Sequence, residues 1–306
     1  MGLTRRLAAV ALLAAWIIAA CQPQTVTPSP TPSASPTATR PRLELSTYEY
    51  AIQTKGKLRV AIRDRGFPPL SDRTTNGNTL GKPQGFETDL AREIAKAIFG
   101  TNDDPDAHID WISVDSSTRL SALTSSQADL SIAAIPITEE NKKVVEFSDP
   151  YLTTGARLLV KKANGEIKEI ADVSTGDQTV CAQTGSRSET DLKKITNDRA
   201  KILELDTLDF CMQALMGGAA DALVGDEVAL FGIVSKQPSD VKLAGKAFAT
   251  QPLGIAMKKS AAGDRQGFRE FINTALLTIV ANRTWAKLYQ TDITPVSGDA
   301  KQLPTE

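Results

Sequence analysis

Two stretches of the chain repeat the same order of residue types, and this repeat constrains the fold more than any other feature. In the first stretch, Ala122-Leu123 lies in an amphipathic segment that starts at Arg119, and Ala128-Asp129 leads into an apolar run. In the second, Ala214-Leu215 stands at the same distance from Ala220-Asp221, which again leads into an apolar run. A helix followed by a buried strand is the unit of α/β folds, so two similar lobes are predicted. A chance coincidence of short pairs is the alternative.

The first residues carry an export signal. Arg5 and Arg6 precede the apolar run Leu7–Ile18, which is too short to span a bilayer comfortably. The run ends in Ala19-Ala20-Cys21, the small-residue pattern of a bacterial lipoprotein cleavage site. Residues 1–20 are therefore predicted to be a signal peptide. Lipids on the thiol and amine of the exposed cysteine would anchor the chain stably, since two or more acyl chains suffice for that. An ordinary secretory signal with an incidental cysteine is the alternative.

The next segment has a composition that does not support a fold. From Gln22 to Pro41 it consists almost wholly of Pro, Thr, Ser, Ala and Gln, with Arg40 as its one charge. Such a segment cannot bury enough apolar area to offset its ordering entropy, and repeated prolines keep it semi-extended. We expect residues 21–44 to be a disordered tether. It would hold the folded part in the periplasm or at the cell exterior, close to the membrane that carries the anchor.

Charge and cysteine content exclude several classes of function. The chain has 35 Lys and Arg against 36 Asp and Glu, and the basic residues are dispersed, which argues against a nucleic-acid partner. Apart from Cys21, the cysteines are Cys181 and Cys211, and an even pair in an exported protein favours a disulfide. Zinc is a weaker alternative, because His108 is the single histidine and no ligand cluster surrounds it. We predict no metal, no cofactor and a monomer.

Strands and helices are predicted to alternate along the folded part, as in parallel sheets with crossover helices. The predicted strands are 57–62, 109–114, 129–135, 156–161, 179–182, 201–205, 222–224 and 252–258. The predicted helices are 87–99, a segment ending near 126, one opening at 138–140, one opening within 183–188 and ending near 195, 264–282 and 285–289. The Phe-Ser-Asp-Pro-Tyr segment at 147–151 is predicted to be a turn.

Five short motifs follow one another at compatible spacing. They are Gly85-Phe86-x-x-Asp89-Leu90, Arg119 with Ala128-Asp129, Ile137-Thr138-x-Glu140, Phe147-Ser148-x-Pro150-Tyr151, and Ala220-Asp221-Ala222-x-x-x-Asp226. Together they resemble the family 3 extracellular solute-binding proteins, the bacterial polar-amino-acid-binding proteins of ABC importers, and among them the glutamate/aspartate-binding branch. The resemblance covers residues 55–289, nearly the whole folded part.

The resemblance implies a fold and its division. The family has two similar α/β lobes joined by a two-stranded hinge, the type II periplasmic-binding-protein fold, with the ligand clamped between the lobes. The hinge crossings are then expected near 153–157 and 250–254. Lobe 1 would comprise 45–154 and lobe 2 would comprise 155–249. The chain would return to lobe 1 over 250–294 and end in a tail at 295–306.

Two arginines are candidates for holding a carboxylate. Arg63 follows the first predicted strand at its carboxyl end, where ligands sit in open α/β sheets, and Arg119 follows the next strand. In the resembling branch, both positions hold the side-chain carboxylate of the ligand, and guanidinium pairs with carboxylate in a strong bidentate geometry. A solvated surface arginine is the alternative for each.

The second lobe supplies candidates for the amino-acid end of a ligand. Asp226 matches the family's aspartate that receives the ligand's ammonium, although a helix N-cap is an alternative that can coexist with this role. Ser186 matches a hydroxyl that contacts the ligand's α-carboxylate, at a helix start whose free N–H groups suit an anion. Gln183 and Ser116 also match pocket positions.

This chain departs from the family pattern in two places. The arginine that follows the Thr-x-Glu motif in the family, and holds the α-carboxylate, is replaced here by Asn141. At the predicted pocket position Ala134, and at Pro136, no hydroxyl is available near the ligand's amino group. Arg187, where the family has a small residue, is a candidate to replace the missing arginine from the opposite lobe.

These observations predict a lipid-anchored receptor that captures an acidic amino acid, or a related small dicarboxylate, for an ABC permease. A periplasmic dehydratase of the same fold and the binding subunit of a membrane sensor are the alternatives. The sequence contains no nucleophile elbow, metal-ligand cluster or Ser/His/Asp set, so no enzyme activity is predicted.

Overall fold

A computed structural model describes residues 41–299, without 65–67, 74, 77–78, 102–103, 176, 260–264 and 266. The predicted signal peptide, Cys21 and most of the predicted tether lie outside the described residues. The strands are β1 (Leu58–Ile62), β2 (Thr75–Asn76), β3 (Thr79–Leu80), β4 (Ile109–Ser113), β5 (Leu130–Ser131), β6 (Val145–Lys161), β7 (Thr179–Gln183), β8 (Lys201–Leu205), β9 (Ala222–Asp226) and β10 (Val241–Lys258).

The helices are numbered in sequence order. They are α1 (Tyr48–Lys55), α2 (Phe86–Phe99), α3 (Ser121–Thr124), α4 (Glu139–Val144), α5 (Arg187–Thr196), α6 (Leu208–Gly217), α7 (Glu227–Lys236), α8 (Phe268–Ala281), α9 (Thr284–Asp292) and α10 (Thr294–Ser297), with short 3-10 helices at Pro105–His108 and Ile170–Val173. Within the described part of the chain, no helix combines the length and apolar character that crossing a bilayer requires.

One mixed sheet in the order β4-β1-β5-β10-β6-β9-β7-β8 organises the molecule. In one half, β1 pairs in parallel with β4 and β5, and in the other half β7 pairs in parallel with β8 and β9. The long strands β6 and β10 are antiparallel to each other and take part in both halves. They cross from one lobe to the other around the pairs Thr153–Pro252 and Thr154–Gln251. The predicted fold, two α/β lobes with a two-stranded hinge, is confirmed.

The sequence repeat has a structural cause in the two aspartates. The Asp129 backbone N–H donates to the Arg59 carbonyl at 2.9 Å, and its carboxylate accepts from the Arg59 N–H at 2.9 Å. Asp221 makes the same two bonds with Thr179, both at 2.8 Å. Each aspartate therefore fixes the start of one strand beside the start of the central strand of its lobe. The same residue type is required twice because the same junction is built twice.

Several predicted boundaries were wrong. The predicted strand 129–135 is a regular strand only at Leu130–Ser131, because Ala134 has a left-handed φ of 49° that interrupts it. The chain then pairs with β10 again through a bridge between Pro136 and Leu253. The predicted turn at 147–151 is part of β6, where shifts in the β6–β10 register accommodate Pro150. The helix predicted to end near 126 spans only Ser121–Thr124.

Other elements differ from the predictions in extent. The helix predicted from 264 begins at Phe268, since Gly267 has a left-handed φ of 80°, and residue 264 lies outside the described residues. The predicted strands 156–161 and 252–258 are the end of β6 and the end of β10, and the first half of β10 was not predicted. Helices α1, α7 and α10 and the short strands β2 and β3 were also not predicted.

The apolar core is continuous across the predicted lobe boundary. A large cluster in lobe 1 is built around β1, α2, α8 and α9. Val228 and Phe231 of α7, which follows lobe 2 strand β9, belong to the same cluster. The described chain packs as one unit. The predicted boundaries at 154/155 and 249/250 therefore remain a prediction.

The cysteines of lobe 2 form the predicted disulfide. Cys181 on β7 and Cys211 on α6 are joined with a Sγ–Sγ distance of 2.05 Å, and both residues are fully buried. The bond links the central strand of this half-sheet to the helix that covers it. The zinc alternative is thereby excluded for these two thiols.

Candidate functional site

The carboxyl ends of the parallel strands in both lobes open into one cleft. It contains two adjoining cavities of about 260 Å³ and 180 Å³, which share Asp226, Ala229 and Gln251 as lining residues. The predicted ligand residues that line one or both cavities are Arg63, Arg119, Ala134, Gln183, Ser186, Arg187 and Asp226. Strand ends meeting at the edge of an open sheet are where α/β folds bind ligands. The topology brings together residues that are far apart in sequence.

Arg63 and Arg119 share the cavity on the lobe 1 side. The Arg119 Nη1 donates to the carbonyls of Ala133 at 2.9 Å and Ala134 at 2.7 Å, so its position is fixed by the backbone that follows β5. Burial, together with the charge of Arg119, lowers the pKa of Arg63 to about 10. Burial also lowers the pKa of Arg119. Two partly desolvated cations in one cavity favour a bound anion, which is not the situation of solvated surface arginines.

A carboxylate that was not predicted lies behind these arginines. Glu87, in the first turn of α2, is 1% exposed and accepts a hydrogen bond from the Ala134 N–H at 2.8 Å. The Tyr151 hydroxyl donates to the same carboxylate oxygen. Burial raises the pKa of Glu87, while the bonds from Tyr151 and Ala134 and the arginine charges act in the opposite direction. The signal available in the sequence was its position directly after the Gly85-Phe86 motif.

Gly85 explains why that motif precedes the helix. Its φ is 116°, and a Cβ at this position would lie 2.5 Å from the Pro69 carbonyl oxygen. A side chain there would therefore push the start of α2 away from the loop at 69–70. The Glu87 N–H donates to the Leu70 carbonyl at 2.8 Å, which anchors the first turn of the helix in that place.

Asp226 is both a helix cap and a cleft residue. It is the last residue of β9, and its carboxylate accepts from the Val228 N–H at 3.0 Å as the N-cap of α7. Burial raises the pKa of Asp226, and the charge of Arg187 partly offsets this effect. The N-cap role is thus present in the structure, and Asp226 also lines both cavities.

The other lobe 2 candidates already have protein partners. Ser186 is the N-cap of α5, and its hydroxyl accepts from the Glu189 N–H at 3.1 Å. The Gln183 side chain donates to the Asp206 carbonyl at 3.2 Å. Arg187, whose side chain is 53% exposed, pairs with Asp191 at 3.2 Å. Its guanidinium also donates to the Ala249 carbonyl at 3.3 Å, on the far side of the cavity.

Two positions singled out in the sequence lie outside both cavities. Asn141 donates from its side chain to the Pro136 carbonyl at 2.9 Å, so it stabilises the start of α4 and leaves the place of the family's arginine without a charge. Ser116 is exposed on a turn in which the Asp115 carboxylate accepts hydrogen bonds from the Ser117 and Thr118 N–H groups. The geometry does not support a ligand role for Ser116.

The hinge contributes two polar residues that the sequence did not reveal. Thr154 on β6 and Gln251 on β10 face each other in the ladder and line the cleft. The Thr154 hydroxyl and the Gln251 side-chain carbonyl are buried and have no hydrogen-bond partner among the described residues. Buried polar atoms in native proteins are almost always paired, so these two groups suit polar atoms of a ligand. Over the described ranges, no cluster of His, Cys, Asp and Glu suited to a metal was found.

Comparison with known families decides the assignment. Residues 58–292 match the model of the bacterial extracellular solute-binding proteins, family 3. The chain belongs to this family. The predicted family and fold are thereby confirmed.

Individual members of the family show the extent of the similarity. A glutamine-binding protein of Geobacillus stearothermophilus is 33% identical over 83% of this chain and 91% of its own length. The glutamate-binding protein GluB of Corynebacterium glutamicum is 27% identical over 67% of this chain and 69% of its own length. Among solved structures, an ancestral arginine-binding protein bound to arginine is 34% identical, with a TM-score of 0.55, and covers 78% of this chain and 98% of its own.

The two roles of Asp226 can be separated by substitution. Asp226→Ala should lower the free energy of unfolding by about 1 kcal/mol, because it removes the N-cap of α7. Asp226→Asn keeps a capping oxygen and removes a charge that burial disfavours, so it should be at least as stable as the wild type. Urea unfolding at neutral pH measures both values. An equal loss in the two variants would contradict the capping role.

Proposed function

We propose that this family member is a receptor that captures an acidic amino acid, glutamate or aspartate, or a related small dicarboxylate, for an ABC permease. The observation that carries this proposal is the half-buried pair Arg63 and Arg119 in a cleft that also contains Asp226. A zwitterion with an additional carboxylate complements two cations and one anion. The glutamate-binding relative supports the acidic ligand, and the glutamine-binding relative supports a side chain of this length.

We assign each end of the ligand to a set of side chains. The side-chain carboxylate would lie between Arg63 and Arg119, where bidentate guanidinium contacts are strongest. The ammonium would approach Asp226. The α-carboxylate would lie at the start of α5, near Ser186 and Arg187, because helix N-termini favour anions. Thr154 and Gln251 would supply hydrogen bonds from the hinge, which satisfies the two buried groups when the cleft closes on a ligand.

Glutamine is the second candidate ligand, because a relative that is 33% identical is named as glutamine-binding. Its amide carries no negative charge to complement Arg63 and Arg119 in the lobe 1 cavity. A cationic ligand, as in the ancestral arginine-binding structure, would meet Arg63 and Arg119 with a like charge. We therefore favour the acidic ligand. We propose binding rather than catalysis, as the names of the relatives indicate.

A panel of ligands tests this proposal. In thermal-shift experiments, glutamate or aspartate at a hundred times its Kd should stabilise the wild type by about 2.7 kcal/mol. Arg119→Ala should abolish this stabilisation, since it removes half of the cation pair. Arg269→Ala, an exposed arginine on α8 outside both cavities, is the matched control and should respond as the wild type does. Thermal stabilisation only by arginine or another cation would contradict the proposed function.

Arg187→Ala tests the replacement of the family's missing arginine. If Arg187 holds the α-carboxylate, this variant should bind glutamate or aspartate more weakly by about 1.5–3 kcal/mol, the value of a charge-assisted hydrogen bond. Calorimetry with the wild type, with Arg187→Ala and with the exposed-arginine control Arg199→Ala measures the difference. Unchanged, tight glutamate binding in Arg187→Ala would refute the replacement. Tight binding of succinate but not glutamate by the wild type would indicate a ligand without an amino-acid end.

We also propose that the mature protein begins at Cys21 and is anchored by lipid to a membrane, facing the periplasm or the cell exterior. The support is the signal pattern before Cys21 and the Pro-rich tether after it. Intact-mass spectrometry of detergent-extracted protein should show acyl chains on Cys21. Cys21→Ser should release the protein from the membrane fraction. A mature protein without acyl mass, or one that begins elsewhere, would contradict the anchor.

A further inference from the structure

We propose that Glu87 is a positioning residue that sets how strongly the cleft prefers a carboxylate over a carboxamide at the side-chain end of its ligand. The inference rests on the proposed function, because it concerns the same cavity. Glu87 does not itself line the cavity, and it acts through the backbone and the charges of the residues that do.

Glu87 and Arg119 both form hydrogen bonds with the backbone of Ala134. Glu87 Oε1 accepts from the Ala134 N–H at 2.8 Å, and the Ala134 carbonyl accepts from Arg119 Nη1 at 2.7 Å. One residue, Ala134, therefore lies between the buried carboxylate and the cleft arginine. Ala134 has a φ of 49°, a conformation that non-glycine residues rarely adopt. Such a conformation persists where surrounding contacts hold it, and here Glu87 and Arg119 hold the residue from its two polar ends.

Hydrogen bonds and nearby charges act on the ionised form of Glu87. The side chain is 1% exposed, so an ionised carboxylate there needs compensation. It receives two hydrogen bonds, from Ala134 and from the Tyr151 hydroxyl, and it lies in the field of Arg63 and Arg119. Tyr151 is itself fully buried and therefore cannot exchange this bond freely for water. Burial raises the pKa of Glu87, and these contacts oppose that shift by favouring its charged form.

Two arginines and one carboxylate set the charge at the lobe 1 end of the cleft. Arg63 and Arg119 contribute two positive charges, and the ionised form of Glu87 behind them contributes one negative charge. The remaining single positive charge matches one ligand carboxylate. A neutral amide does not neutralise this charge, but the penalty is smaller than it would be if Glu87 carried no charge. Glu87 thus moderates the preference for an acid, and the neutral Glu87→Gln side chain should strengthen that preference.

Charge and shape can be separated at this position. Glu87→Gln keeps the size of the side chain and an oxygen that can accept from Ala134, so it changes mainly the charge. Tyr151→Phe leaves the carboxyl in place and removes a hydrogen bond that favours its ionised form. It should therefore change ligand preference in the same direction, by a smaller factor. Glu49→Gln, a buried acid on α1 in the same lobe that lines neither cavity, is the matched control.

The experiment measures Kd for glutamate and glutamine, or for aspartate and asparagine if that pair binds better, in the full mature protein. The readout is the ratio of the amide Kd to the acid Kd. Glu87→Gln should raise this ratio about tenfold, the effect of one unit charge roughly 12 Å away at an effective dielectric of about 20. Tyr151→Phe should raise it about two- to fivefold by the same reasoning, and Glu49→Gln should leave it unchanged.

The outcomes distinguish this inference from the proposed function. A parallel loss of affinity for acid and amide in Glu87→Gln would show that the residue only holds the fold, and would overturn the inference. An unchanged ratio would do the same. If Glu87→Gln does not fold, as judged by circular dichroism, the ratio in Tyr151→Phe decides. Failure of the wild type to bind any acid or amide would instead overturn the proposed function, before any variant is considered.

Discussion

The antiparallel pairing of β6 with β10 is the interaction on which the rest of the molecule depends. These two strands are shared by both halves of the sheet, so neither half has its full complement of strands without them. Because each half-sheet is parallel and attached to the same pair, the carboxyl ends of its strands open toward one cleft. The residues at the crossing, Thr154 and Gln251, then lie in the cleft itself. The hinge is therefore also part of the lining of the site.

The cleft combines groups that would be unfavourable singly. Two arginines with reduced contact with water and the carboxylate of Asp226 line it, and the fully buried Glu87 lies behind the arginines. Three of them are held by backbone groups: Arg119 by two carbonyls, Glu87 by the Ala134 N–H, and Asp226 by the first turn of α7. Fixed backbone partners keep the charges in place at little further entropic cost when a ligand arrives. This is the sense in which the site is preorganised.

Much of the framework could be predicted from local patterns. Strands such as β1, β7 and β8 are short apolar runs bounded by polar residues, and their limits in the structure differ from the predictions by at most one residue. The first half of β10 was not predicted, because its buried and exposed positions do not alternate regularly as in a typical strand and it contains Gly245. The Asp-Pro pair at 149–150 suggested a turn, but the long-range β6–β10 pairing holds it extended.

The site was only partly predictable, for a related reason. Arg63, Arg119 and Asp226 could be placed because each follows a recognisable strand. Glu87 could not, since an acidic residue in the first turn of a helix is ordinarily explained by the helix dipole. Thr154 and Gln251 become significant only through a pairing between strands that are distant in the chain.

The packing of α7 has a consequence for how the two lobes can move. Val228 and Phe231 insert into the core around β1 and α2, although their helix follows a strand of the other lobe. A rotation about the β6–β10 crossing would have to slide these side chains across that core, because a simple separation would expose them to water. Closure should accordingly resemble a shear motion, in which α7 slides along the apolar core, more than a hinge rotation of two independent bodies. Neither lobe, excised alone, would retain a complete interior.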